Sequence, residues 1–162
     1  MHLATLKYQF NLTDFVTKKV TEGLTHEDSL RQPQPGGNCL NWVLGHIVHS
    51  RNQAITALGQ RTPYPKDRFA RYQQGTPPLT DPSEVMRFEE LMECFADLQE
   101  YLTKALDAMT PEQLAQKASF SPTGNPDETI GSLLAGFAFH EAYHVGQLGL
   151  LRRIAGKPNL LG

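Results

Sequence analysis

The sequence predicts an all-α fold, a four-helix bundle occupying one domain over residues 1–162. Three observations lead there. Four segments repeat apolar residues at the three- and four-residue spacing of an amphipathic helix, no segment alternates as a half-buried strand would, and the joins carry proline, glycine and helix-capping residues. A chain of 162 residues can bury a sizeable core. Its net charge of −2, spread along the chain, lacks the basic footprint of a nucleic-acid-binding protein. No apolar run reaches the roughly 18 residues of a membrane span, and no basic start leads into an apolar stretch. A soluble, cytoplasmic protein acting on a small molecule is expected.

The first helix is expected over about residues 4–22, with Tyr8, Leu12, Phe15, Val16 and Val20 as its apolar stripe and Gly23 ending it. After a Pro/Gly-rich loop from Arg31 to Gly37, Asn38 is placed to cap a second helix with Leu40, Val43, Leu44, Ile47, Ile55 and Leu58 facing the core. Residues 60–80 then form a connection of about 20 residues, long enough to cross a bundle and join parallel neighbours. Asp81-Pro82-Ser83-Glu84 reads as a helix start, with a capping residue, a proline at the first helical position and an acidic residue behind it. The third helix should run from there to about 108, buried through Val85, Phe88, Leu91, Met92, Phe95, Leu98, Leu102 and Leu106. Thr110-Pro111-Glu112-Gln113 repeats the signal for a short helix, and Asn125-Pro126-Asp127-Glu128 repeats it for a fourth long helix stopped near Gly156-Lys157-Pro158. Cys39 and Cys94 are too few for a disulfide framework; Cys94 reads as a core residue, and Cys39 stands at a helix start, where a thiol pKa can fall. Arg152 and Arg153 fit the negative end of the last helix dipole.

The fourth helix carries the most informative pattern. His140 and His144 lie one turn apart in a stripe with Ile130, Leu133, Leu134, Phe137, Leu148 and Leu151. Imidazoles four residues apart are about 6 Å apart along the axis, from which two ring nitrogens can reach one metal ion. Left buried without partners they would cost about 1–3 kcal/mol each. A catalytic zinc-like site takes three protein ligands, so a third is needed. His2 and His26 are expected at the surface; His46 and His49 stand in the second helix. His46 lies nearer the core stripe, beside Val43 and Ser50, while His49 is nearly opposite it. Helical geometry therefore favours His46, although an i,i+3 pair can also hold a metal jointly.

Two familiar patterns fail on inspection. His140-Glu141-Ala142-Tyr143-His144 spells the H-E-x-x-H of zinc proteases, but residues 145–162 contain no His, Asp, Glu or Cys to complete that site. Glu141-x-x-His144 is also half of a di-iron carboxylate motif, and the chain has no second Glu-x-x-His.

The segments Asn41-Trp42-Val43-Leu44-Gly45-His46-Ile47 and His140-x-x-x-His144-x-Gly146-Gln147 resemble those of the DinB superfamily, which includes YfiT-like metal-dependent hydrolases. The likeness extends over essentially the whole chain. It implies an up-down-down-up bundle with the long crossover between its second and third helices. It implies a divalent ion, zinc or nickel, on His46, His140 and His144. Relatives of this kind include mycothiol-dependent isomerases and bacillithiol transferases, so a low-molecular-weight thiol is a further expected cofactor.

Three neutral imidazoles leave a metal ion its full charge and an open position, able to activate water or a thiolate. The expected activity is metal-dependent hydrolysis or thiol transfer, with Glu141 and His49 as proton-transfer candidates. The opposing expectation is a non-catalytic metal-binding or interaction domain in which the ion only pins two helices. Arg68, Arg71 and Tyr72 in the long connection are candidates for receiving an anionic substrate or thiol, against the alternative of a solvated loop. A homodimer is expected, with Phe69, Tyr72 and Tyr101 as candidate contributors to its surface.

Overall fold

The computed structural model describes residues 3–159, and His2 lies outside them. Four long helices carry the fold: α1 (Leu3–Thr21), α3 (Leu40–Ala57), α4 (Phe88–Asp107) and α6 (Ile130–Ile154). Single-turn helices α2 (His26–Ser29) and α5 (Pro111–Leu114) sit in the connections, with 3-10 turns at Ala70–Tyr72 and Pro82–Glu84. No β-strand occurs among the described residues; one isolated bridge pairs Lys117 with Thr129. Nor is any described helix long and apolar enough to cross a membrane. α3 packs on α4 and α6, while α1 packs on α6 and less extensively on α4. Helices α1 and α3 thus stand at opposite corners.

The capping signals are real, but they do not always open the element expected of them. Thr110 does cap α5 with Pro111 in its first turn. Asp81 instead caps the turn at Pro82–Glu84, accepting the Ser83 N–H at 2.8 Å, and α4 begins only at Phe88, where His26 Nδ1 accepts the backbone N–H. Asn125 likewise holds a local turn through the Asp127 N–H. The chain then runs extended, its Glu128 carbonyl accepting from the Ala118 N–H, until Thr129 caps α6 in a reciprocal box with Ser132. Cys39, not Asn38, precedes α3; it is fully buried, and burial raises its thiol pKa, the opposite of the activation a helix start can give. Cys94 is a core residue, as expected.

The inner face of α1 also differs from its apolar pattern. Leu6, Phe10, Thr13, Thr17 and Val20 point inward, while Tyr8, Leu12 and Phe15 are exposed. Three threonines on the inner face weaken its hydrophobic signature; Thr21, for one, satisfies its hydroxyl on the Thr17 carbonyl at 2.7 Å. α3 is buried along almost its whole length, including every residue of its expected stripe. In α6 the buried line runs Leu134, Ala138, Glu141, Val145, Leu148, Arg152, leaving His140 and His144 half-buried at its edge.

A charged side chain stands where the four long helices meet. Arg51 on α3 is 1 % exposed. Its Nε and Nη2 donate to the two carboxylate oxygens of Glu141 on α6, each at 2.7 Å, and its Nη1 donates to the Phe95 carbonyl on α4 at 3.3 Å. The guanidinium carbon lies 3.8 Å from the Phe95 ring centroid, and Asp14 on α1 stands 3.8 Å from Nη1. Thr13 on α1 donates to the same Glu141. All three guanidinium nitrogens donate and both carboxylate oxygens accept, the kind of pairing under which a buried ion pair is tolerated. At the other end Arg152, buried among α1 and the chain beyond α6, donates to the Val20, Glu22 and Pro158 carbonyls rather than serving only the helix dipole.

Candidate metal centre

Gly45 explains how the long crossover reaches the site. A Cβ there would fall 2.2 Å from the Tyr72 ring, so only glycine lets Tyr72 lie flat on α3. The Tyr72 hydroxyl donates to Asn41 Oδ1 at 3.1 Å and accepts the Met86 N–H at 2.9 Å, while Asn41 donates to the Met86 carbonyl at 3.0 Å. Tyr72 is therefore a core residue that straps the crossover down. Its burial, and that of Phe69, remove both from any substrate-binding or partner surface; Tyr101 stays exposed.

With the crossover in place, the Tyr72 carbonyl accepts from His46 Nδ1 at 2.7 Å. That bond fixes the proton on Nδ1 and leaves the Nε2 lone pair free. Trp42 stacks on the same ring at 5.0 Å between centroids, 12° from parallel. On α6 the Gln147 amide oxygen accepts from His144 Nδ1 at 2.7 Å, which directs the Nε2 lone pair of that ring inward as well. His140 Nε2 lies 3.1 Å from His46 Nε2 and 3.1 Å from His144 Nε2. One His140 proton can satisfy only one of those two lone pairs.

All three ligand atoms lie within 4.8 Å of one another, a grouping that could hold a metal ion. Nitrogens around a tetrahedral zinc with bonds of about 2.0–2.1 Å stand about 3.3 Å apart, so the spacing fits the donors to such an ion. Burial pushes the pKa of all three rings down, that of His140 to about 4 with help from His144 and His46. Neutral imidazole, the form that ligates, is favoured.

The other expected site residues lie elsewhere. His49 is buried beside the cluster without joining it; burial, then His46, lowers its pKa, and its Nδ1 has no hydrogen-bond partner. Glu141 sits next to His140 in sequence, but a 100° turn of the helix sends its carboxylate into the core, where Arg51 and Thr13 occupy it. This corrects its expected role as a proton-transfer group. Arg68 pairs with Glu90 at 2.7 Å, and Arg71 pairs with Glu84 at 2.8 Å and donates to the Pro77 and Pro78 carbonyls. Neither lines the clefts at the histidines, because both are used in holding the crossover to its neighbours. Gln74 and Lys66 of the crossover line those clefts instead. Sequence reasoning missed Arg51, and it named Asn41 and Gly45 only within the segment that carries the family likeness, without their part in seating Tyr72; a glycine in mid-helix was the available signal, since it costs about 1 kcal/mol unless close packing calls for it.

The sequence model of the DinB superfamily matches residues 9–148. The chain belongs to the DinB superfamily. Solved structures share the fold, two of them as follows. A conserved protein from Enterococcus faecalis superposes with a TM-score of 0.73 at 18 % identity, covering 95 % of this chain and 97 % of its own. A DinB-like protein from Bacillus cereus ATCC 10987 gives 0.70 at 20 % identity, covering 97 % and 92 %. No curated protein matches the sequence.

Proposed function

We propose that this DinB-superfamily protein is a divalent-metal-dependent enzyme acting on a small molecule by hydrolysis or by transfer to a low-molecular-weight thiol. One observation carries the reading: the Nε2 lone pairs of His46 and His144 are held toward His140 Nε2 by hydrogen bonds on their opposite ring nitrogens. Such an arrangement is unfavourable without a cation and favourable with one. A bound zinc or nickel would act as a Lewis acid toward water or a thiol. His46, His140 and His144 would hold it, Trp42 and Gln147 would fix the rings, and neutral His49 would take up a proton.

Clefts reach the cluster from outside, which supports catalysis over a purely structural ion. The same proposal includes an up-down-down-up topology, a cytoplasmic setting and a homodimer. The homodimer draws support from exposed Leu12 and Phe15 on α1 and Leu150 on α6. Elemental analysis and calorimetry on untagged protein should give one ion per chain. A metal-loaded screen of activated esters, amides and thiol-reactive electrophiles, with several thiols supplied, should then give turnover that chelation removes. A cluster that stays empty after zinc and nickel addition at neutral pH would refute the proposal.

A further inference from the structure

Between Ile130 and Leu151, α6 carries Glu141 as its one Asp, Glu, Lys or Arg, and that side chain is buried in the core. The outward face of the helix therefore runs about six turns without a charge. A helix lying on one chain alone turns charged and polar residues to water instead. Gly136, Phe139, Tyr143, Gly146 and Leu150 line this face at alternating three- and four-residue steps, and Ile154 continues it. Phe139 is 75 % exposed and Tyr143 59 %. Beside them, exposed Leu12 of α1 extends the face across a groove of about 430 Å³ lined by Ala142, Gly146 and Gly149.

Three observations make a second copy of this chain the occupant. A twofold contact sets a surface against itself, so every charge on it meets its like; an uncharged face escapes that penalty. The area also suffices. A homodimer interface of about 800 Å² per partner is about 65 % apolar, which calls for about 500 Å² of apolar surface. Leu12, Phe139, Tyr143, Leu150 and Ile154, side chains of roughly 200 Å² that are about half exposed, supply that much. Gly146 adds the third. Glycine weakens a helix interior, yet a Cβ at Gly146 would meet nothing within 4 Å, unlike one at Gly45. Nothing within one copy calls for it; the close approach of another helix would.

We propose that α6 of a second copy lies antiparallel on this face, crosses it at Gly146, and roofs the cleft over the histidines. The inference deepens the enzyme reading, on which it rests for the use of that cleft. A parallel pair would set exposed Arg153 against its own copy, whereas the antiparallel pair parts the two arginines. It places Tyr143 against the partner's Leu150 and Phe139 against the partner's Ile154. Tyr143, Leu150 and Ile154 wall the cleft of about 680 Å³ that opens onto His46, His140 and His144. The partner's side chains thus complete its mouth, and water reaches the rings less freely. Charge interactions inside a site gain strength when water is shut out.

Analytical ultracentrifugation of the full chain after chelation tests this, and should show a dimer at micromolar concentration. F139R and L150R, changes at exposed positions, should each keep the helicity and raise the dissociation constant about tenfold or more, the scale of a lost interface anchor. With diamide as oxidant, G146C should join two copies through a disulfide, whereas E93C, exposed on α4, should not. Trp42 is the one tryptophan of the sequence and lines the roofed cleft, so acrylamide should quench it more strongly in F139R than in the parent dimer. A monomer at every concentration, a dimer that survives both arginines, no G146C cross-link, or equal quenching would overturn the proposal. So would a monomer that instead co-sediments with neutral phosphatidylcholine vesicles. Each readout is taken without metal, so a roofed dimer that later binds no ion would refute the metal reading alone.

Discussion

His46 is held on one face of its ring by Trp42 and at Nδ1 by the Tyr72 carbonyl, and it meets the histidines of α6 edge-on. His49, one turn on, faces a different cleft wall. Replacing His46 by Ala should abolish or weaken metal binding by at least tenfold, whereas His49→Ala should leave stoichiometry intact; titration calorimetry on both variants decides between them. Glu141 invites the opposite kind of experiment. Removing one partner of a buried ion pair strands the other, so Glu141→Ala should cost about 3–5 kcal/mol in a denaturation curve of the metal-free protein. The double variant Arg51→Met/Glu141→Leu should recover much of that loss, since no stranded charge remains. The histidines were legible in the sequence because a polar ring one turn from another in an apolar helix stands out. Arg51 was not, flanked as it is by Ser50 and Asn52 in a run that looks solvated.

Among the elements, starts were legible as signals but not as positions. Asp81-Pro82 and Asn125-Pro126 each close a short turn, and tertiary contacts decide where the following helix opens: His26 and Tyr72 for α4, the stretch around Lys117 for α6. The apolar stripe of α1 misled because its inner face spends threonines where leucines would announce burial. One of the two four-residue α-helices offers a pH test. In α2, Asp28 accepts the Thr25 N–H at 3.0 Å and pairs with Lys157 at 3.0 Å; chiefly the first contact holds its carboxyl near 2, against the ordinary 3.8. A carboxyl with a depressed pKa stabilises the fold fully above its unfolded value and loses that contribution as pH falls through the folded one. Asp28→Ala should therefore cost about 1 kcal/mol at pH 7, the scale of a lost cap, and the gap to the parent should close between about pH 4 and pH 2. Thermal melts across that range measure it; a gap independent of pH would contradict the assignment.

For the molecule as a whole, four helical stripes and a bundle were readable from periodicity, while the packing of α1 across from α3 was not, since nothing local records which helices become neighbours. The core is continuous without any ion: Phe10, Ile47, Phe95, Leu98 and Leu148 are all essentially buried within one cluster. Chelated protein should accordingly keep its helicity and unfold in one cooperative transition, with metal raising the midpoint only by mass action. Circular dichroism with and without chelator checks this, and a collapse of helicity on chelation would make the ion structural. The paired charges at the centre bear on the site in a further way. Arg51 lies five residues beyond His46 on α3, and Glu141 directly follows His140 on α6. The two-pronged contact between guanidinium and carboxylate closes in a single alignment of these helices. A slide of α6 along α3 by one turn, about 5.4 Å, would open both prongs and carry His140 clear of His46, from which it now stands 3.1 Å. The pair works as a gauge block for the histidine cluster: it ties α3 to α6 beside rings that it does not itself touch.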